Sequence, residues 1–231
     1  MPKTRKGWLP SRRLASWLHG YLVCVSDFDL DGLFVEPRPD EDAWEAFLDL
    51  ALERIGGDRS PGLSNNQIAQ LEEVLGCQLP FEVGLLLVMG VPAADGWHQW
   101  DDPAKQIAAW DTSLIDGICF EIEHMGFWFA PWGPAPDSLA ERFVIARKQF
   151  ASTVPSLFPL HGRHAVPLTA AKDQPSSDGN PVLRVDRAQV ELLGDDLAAW
   201  MHRAFEVPLP MWPAEPRHFE FWSDLALSSE R

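Results

Sequence analysis

The chain has 231 residues, 46% of them hydrophobic, and a formal net charge of -15. That is enough apolar material for one substantial core and too acidic a balance for a nucleic-acid binder, whose phosphate contacts need a basic footprint. The three cysteines, Cys24, Cys77 and Cys119, are widely spaced in apolar surroundings, and no run reaches the eighteen or so apolar residues of a membrane span. The pattern fits reduced thiols of a soluble cytoplasmic protein better than a disulfide framework or a zinc site.

Residues 1–39 read as an N-terminal extension with a basic start. Residues 1–20 hold Lys3, Arg5, Lys6, Arg12 and Arg13 and no acid, so the rest of the chain is more acidic than the total. The apolar stretch that follows has the outline of a signal peptide, but His19, Gly20 and Tyr21 interrupt it and no small-residue cleavage site follows. Asp27, Asp29, Asp31 and Gly32 begin like a calcium-binding loop. The twelfth position, which should supply a bidentate Glu, is Arg38, so a solvated acidic turn is the better reading.

The main domain is expected over residues 40–231. Trp44, Phe47, Leu48, Ala51, Leu52 and Ile55 recur at helical spacing, and Gly56-Gly57 ends that helix. Ser64 and Gln67 make a capping box for a second helix with Ile68, Leu71, Val74 and Leu75 inward and Gly76 as its stop. Pro80 suits the first turn of a short buried helix that ends near Gly90. A turn at Ala94-Asp95-Gly96 leads into a segment through Trp97, Trp100 and Trp110, with a helix starting near Pro103. From Asp116 the run GICFEIEHMGFWF alternates apolar and polar residues, which predicts two strands joined at His124-Met125-Gly126.

Helical spacing returns over 138–153 through Leu139, Phe143, Val144 and Phe150, and Pro155 stops it. Residues 157–168, 182–185 and 190–193 read as strands, and 170–180 as a polar loop. Asp195 is the expected cap of a helix that turns Leu197, Trp200, Met201 and Phe205 inward. The Pro-rich stretch from Val207 is expected to pack across the body and to become helical only near Trp222. Helices followed by strands indicate an α+β fold.

The order of LSNNQIAQLEEVLGCQLPFEVGLLL, a Trp-centred segment, GICFEIE, FWFAPWGPAP, PSLFPLHGRHAVP, GNPVLRV and GDDLAAWMHRAF resembles the bacterial SUKH superfamily, the Smi/Knr-like group, from about Trp44 to Trp222. The resemblance implies one domain with helices packed against a curved, mainly antiparallel β-sheet, used for binding and not for catalysis. Many such members look like immunity proteins against polymorphic toxins; others look like regulatory scaffolds. The matching positions, structural or pocket-forming, are Pro80, Trp128, Trp132, Gly133, Gly162, Arg163, Gly179, Asn180, Pro181, Gly194 and Asp196. The chain departs from the most similar subgroup at Ala135, where Arg is typical. It departs again at Gly162-Arg163-His164-Ala165 in place of Gly-His-Arg-Tyr, and at residues 188–194 in place of Thr-Asp-Ile-Ile-Tyr-Tyr-Gly.

Nothing in the sequence asks for an enzyme: there is no nucleophile elbow, no Cys with a recognisable His pattern and no phosphate-cradling loop. Asp195 and Asp196 at a helix start read as caps, and His161 and His164, three apart in a strand, are expected on opposite faces and not as shared metal ligands. No catalytic residue, metal or cofactor is expected. Phe127, Phe129 and most tryptophans are expected in the core, with Trp97 and Trp100 the exposed ones. The candidate partner contacts are Asp95, Trp97, Trp100, Asp101 and Asp102, with Asp173 and Asp178. The expected partner is a protein, with a basic toxin domain the leading class because an acidic inhibitor gains association rate by long-range attraction. A scaffold with a harmless partner, and a small-ligand pocket near Trp132, Arg163 and Asn180, are the alternatives.

Overall fold

The computed structural model describes residues 40–100, 102–170, 179–210, 212 and 216–229. The extension over 1–39, with Cys24 and the calcium-like acidic run, lies outside the described residues. So do Asp101, Asp173 and Asp178.

Helix α1, Glu41–Ile55, starts where the Asp40 carboxylate accepts the Ala43 N–H at 3.0 Å and ends at Gly56. It buries Trp44, Phe47, Leu48, Ala51 and Leu52, as its spacing predicts. Helix α2, Asn65–Leu75, carries the expected capping box, with the Gln67 N–H donating to Ser64 Oγ and the Ser64 N–H to Gln67 Oε1. Gly76 then takes the left-handed conformation that favours glycine. Val74 is exposed, a correction to the expected stripe, and Leu71 carries the deepest burial. A short strand, β1 (Cys77–Gln78), leads through Pro80 to α3 (Phe81–Met89), which is buried nearly all round.

The largest correction concerns α4, Pro103–His124. It runs straight through GICFEIE, where two strands were expected. Leu114, Ile118 and Ile122 fall four apart on one buried face, whereas Phe120 points outward with the Arg187 guanidinium 4.1 Å from its ring centre. The alternation was half of a helical stripe. The chain then makes a short 3-10 turn, Ala130–Trp132, and α5, Leu139–Ser152, capped by Ser138. Ala146 is its fully buried residue; Leu139 and Val144, expected inward, are exposed.

Strands β2 (Leu157–His161), β3 (His164–Pro167), β5 (Val182–Asp186) and β6 (Gln189–Gly194) form an open four-stranded sheet in the order β2-β3-β5-β6. Every pairing is antiparallel, and the register shifts between Pro159 and His161 and between Val182 and Leu183. A separate ladder joins β1 to β4 (Thr169–Ala170). The architecture is α+β.

Helix α6, Leu197–Phe205, is capped by Asp196 and not by Asp195: the Asp196 carboxylate accepts the Ala199 N–H at 2.7 Å. A last helix, α7 (Trp222–Ser229), follows the Pro-rich stretch. Its Trp222, Leu225 and Ala226 join Phe221, Phe129, Ile118, Ile122 and Ala146 over Leu157, Ala165, Leu183, Val185 and Val190 of the sheet. The C-terminal residues thus pack across the body, as expected. No helix among the described residues is long and apolar enough to cross a membrane.

Candidate functional site

The segment expected to offer exposed tryptophans does the opposite. Trp97 and Trp100 are each 7% exposed. Strand β2 is an edge of the sheet, and the chain after Gly96 adds to it: Trp97 bridges His161, the His98 N–H donates to the Leu160 carbonyl at 3.3 Å, and the Gly162 N–H donates to the Gly96 carbonyl at 2.6 Å. Held there, the Trp97 indole stacks on Phe205 with centroids 5.5 Å apart and meets Trp200 and His161 edge-on. Trp100 stacks on Phe158 at 4.5 Å. These indoles are core anchors, so the partner-contact reading of Trp97 and Trp100 fails. Asp95 remains exposed in the turn, and Asp102 caps α4 by accepting the Lys105 N–H at 3.3 Å.

The positions that carry the family resemblance serve separate structural contacts. Pro80 is buried at the start of α3, and its carbonyl accepts the Gly84 N–H. The half-buried Trp128 donates its indole N–H to the Gly133 carbonyl at 2.8 Å, and Trp132 stacks on Phe221. Gly133 and Gly162 have φ of 91° and 56°. Arg163, exposed, pairs with Asp186. Gly179, Asn180 and Pro181 are buried; Asn180 Nδ2 donates to the Pro167 carbonyl at 2.8 Å and the Gly179 carbonyl accepts the Arg217 N–H. A Cβ on Gly194 would meet the Trp200 backbone. Among the described residues no hydrogen bond, ion pair or ring contact joins Trp132, Arg163 and Asn180 to one another.

A cleft of about 340 Å³ lies elsewhere, between Ser60, Pro61, Gly62, Leu63, Gln67, Leu87, Val91 and Trp100. Its walls are set by a close crossing of two segments, where the Ser60 N–H donates to Val91 and the Leu63 N–H to Leu87. A Cβ on Gly62 would run into the Val88 carbonyl, and one on Gly90 into that of Ser60. Gln67, the main polar side chain of the lining, is already engaged in the capping box.

The most distinctive charged surface is one the sequence reading passed over. Glu41, Glu45, Asp49 and Glu53 recur every fourth residue along α1, flanking its buried face, with Asp40 and Asp42 at its start. The spacing was the available signal. None of the four makes an ion pair among the described residues. Partial burial, then the neighbouring Asp49, Asp42 and Glu41, raises the Glu45 carboxyl above its ordinary range. Partial burial and Glu53 raise Asp49 against the pull of Arg59. Like charges four apart on a helix repel, so this stripe costs stability while it concentrates negative potential.

The groups that chemistry could recruit are quiet. Cys77 and Cys119 are buried free thiols, and burial raises both away from the reactive thiolate. Burial also raises Asp196, whose carboxylate is held by Ala199 and by the Trp212 indole at 3.3 Å. His161 and His164 do not lie on opposite faces of one strand. They sit on the two arms of a hairpin, paired across it, with ring centroids 5.6 Å apart. Among the described residues no group of three or more His, Cys, Asp or Glu is placed to hold a metal.

No family model, curated protein or solved structure matches the chain.

Proposed function

We propose that this chain is a non-enzymatic, protein-binding domain of Smi/Knr-like type that acts in the cytoplasm and neutralises a basic partner, with a cognate polymorphic toxin as the leading class, by covering its active site. The observation that carries the reading is the acidic stripe of α1. Four carboxylates held four apart, without ion-pair partners among the described residues, forgo stability, and long-range attraction to a basic surface is a compensating gain. The net charge of -15 acts in the same direction. The resemblance of its motif order to the SUKH superfamily supports the binding class. The contact surface now rests on α1 and the exposed Asp95, in place of the buried Trp97 and Trp100.

The test is affinity capture of the tagged full chain from its native host at two salt concentrations, with the captured chains identified. A stoichiometric partner, lost at high salt, whose domain kills cells alone and not when co-expressed with this chain, supports immunity. A stoichiometric partner that is harmless alone transfers the reading to a regulatory scaffold. In either case the double reversal Glu45→Lys with Asp49→Lys is expected to lower affinity and flatten its salt dependence; unchanged binding removes α1 from the interface.

A further inference from the structure

Two histidines pair across the β2–β3 hairpin, and a third lies in the segment added to the β2 edge. His161 ends β2, His164 begins β3, and His98 lies in the segment added to β2, its Nε2 3.1 Å from the Gly162 carbonyl. The His161 ring packs edge-on against Trp97 at 5.5 Å and Phe205 at 5.7 Å. Gly96 lies so close above it that a Cβ would strike the imidazole. His164 is fixed more tightly: the fully buried Trp200 donates its indole N–H to His164 Nδ1 at 3.2 Å. An indole N–H is only a donor, so His164 Nδ1 must be bare for this bond to exist.

We propose that His161 and His164 form an acid-sensitive latch: neutral, they clamp the turn at residues 94–98 and the hairpin onto α6; protonated, they release the turn and uncover Trp97. Protonation of His164 Nδ1 turns the Trp200 contact into two facing donors and leaves a buried N–H unpaired. A second charge on His161, one ring away, repels the first.

The charges around the pair favour the neutral state. Burial holds both imidazoles below the ordinary histidine range; His98 opposes a charge on His161, and His161 and Arg184 oppose one on His164. The Asp95 backbone on the turn and Glu191 on β6 act the other way, though Glu191 is shared with Arg184 at 3.5 Å. Arg163 in the hairpin is taken by Asp186. Helix α6 presents Trp200 and Phe205, while its His202 bonds the Val207 carbonyl and its Arg203 the Leu192 carbonyl. Since the folded values are depressed, the clamp is complete above the unfolded histidine value of about 6.5 and weakens as pH falls below it.

Amide hydrogen exchange on the full chain tests this. Between pH 7 and pH 5.5, protection at the His98 and Gly162 amides is expected to fall about tenfold for each histidine that takes up its proton only in the opened state. Protection at the buried Ala146 of α5 is the reference and is expected to hold. His161→Phe with His164→Asn keeps a ring and an acceptor but cannot titrate, and is expected to abolish the difference. An equal fall at all three amides, no fall at the turn, or the same selective fall in the double variant overturns the proposal. If the variant does not fold, the wild-type comparison decides alone.

Discussion

Gly96 holds φ at 92° with the His161 imidazole directly above its Cα, so both backbone and space exclude a side chain. Gly96→Ala is expected to cost about 1–3 kcal/mol, from left-handed strain and displacement of His161, read as a lower denaturant midpoint at unchanged slope. Trp100 follows from its burial: Trp100→Ala removes the stack on Phe158 and is expected to cost about 3–5 kcal/mol. A mutant with native stability and lost partner binding would instead restore Trp100 to the contact surface. Sequence could not orient these indoles, because the decision is made by His161 and Leu160, more than sixty positions away, pairing with Trp97 and His98. The neighbouring acids suggested solvent, and the edge of a sheet supplied a core.

At the level of elements, α1, α2 and α3 were legible because their end signals and stripes are local: Gly56, Ser64 with Gln67, Gly76 and Pro80 each act within one turn. Helix α4 was misread because Ile118, Phe120 and Ile122 alternate, and only a longer window with Leu114 reveals the four-residue period. The α1 stripe makes a prediction of the same local kind. Glu45→Gln with Asp49→Asn removes the like-charge pairs with Glu41 and Glu53 and is expected to stabilise the fold at pH 7 by roughly 0.5–1 kcal/mol, an upper range since Asp49 also loses Arg59. The sign with pH follows from folded values that lie above the unfolded ones. The penalty is full above the folded values and vanishes as pH falls below about 4, so the gain of the double variant over wild type should shrink through that range. Denaturant midpoints of both proteins measured from pH 7 to pH 3.5 check it. A gain that persists at the acid end points to helix propensity and not to charge.

Across the whole molecule, the end of the chain returns to complete the cover that α4 and α5 lay over the sheet. Phe221 packs edge-on against Phe129 and stacks with Trp132, and Trp222, fully buried, donates its indole N–H to the Pro155 carbonyl at 2.7 Å. The corner GFWFAPWGPAP is therefore half of a joint whose other half lies ninety residues later, which is why its aromatics read as core while their partner stayed invisible. Closing so long a loop is entropically unfavourable, and the burial of Phe221, Trp222 and Leu225 must offset it. Trp222→Ala is accordingly expected to cost about 3–5 kcal/mol. A chain cut before His218 is expected to keep helical far-ultraviolet dichroism, lose its near-ultraviolet tryptophan signal and bind a hydrophobic dye, because secondary structure survives where specific packing does not. Trp222→Phe keeps the ring but not the bond to Pro155, so its smaller loss separates the hydrogen bond from the burial. Should the shortened chain instead unfold cooperatively with a native midpoint, α7 is an appendage, and the core must close on α4, α5 and the sheet alone.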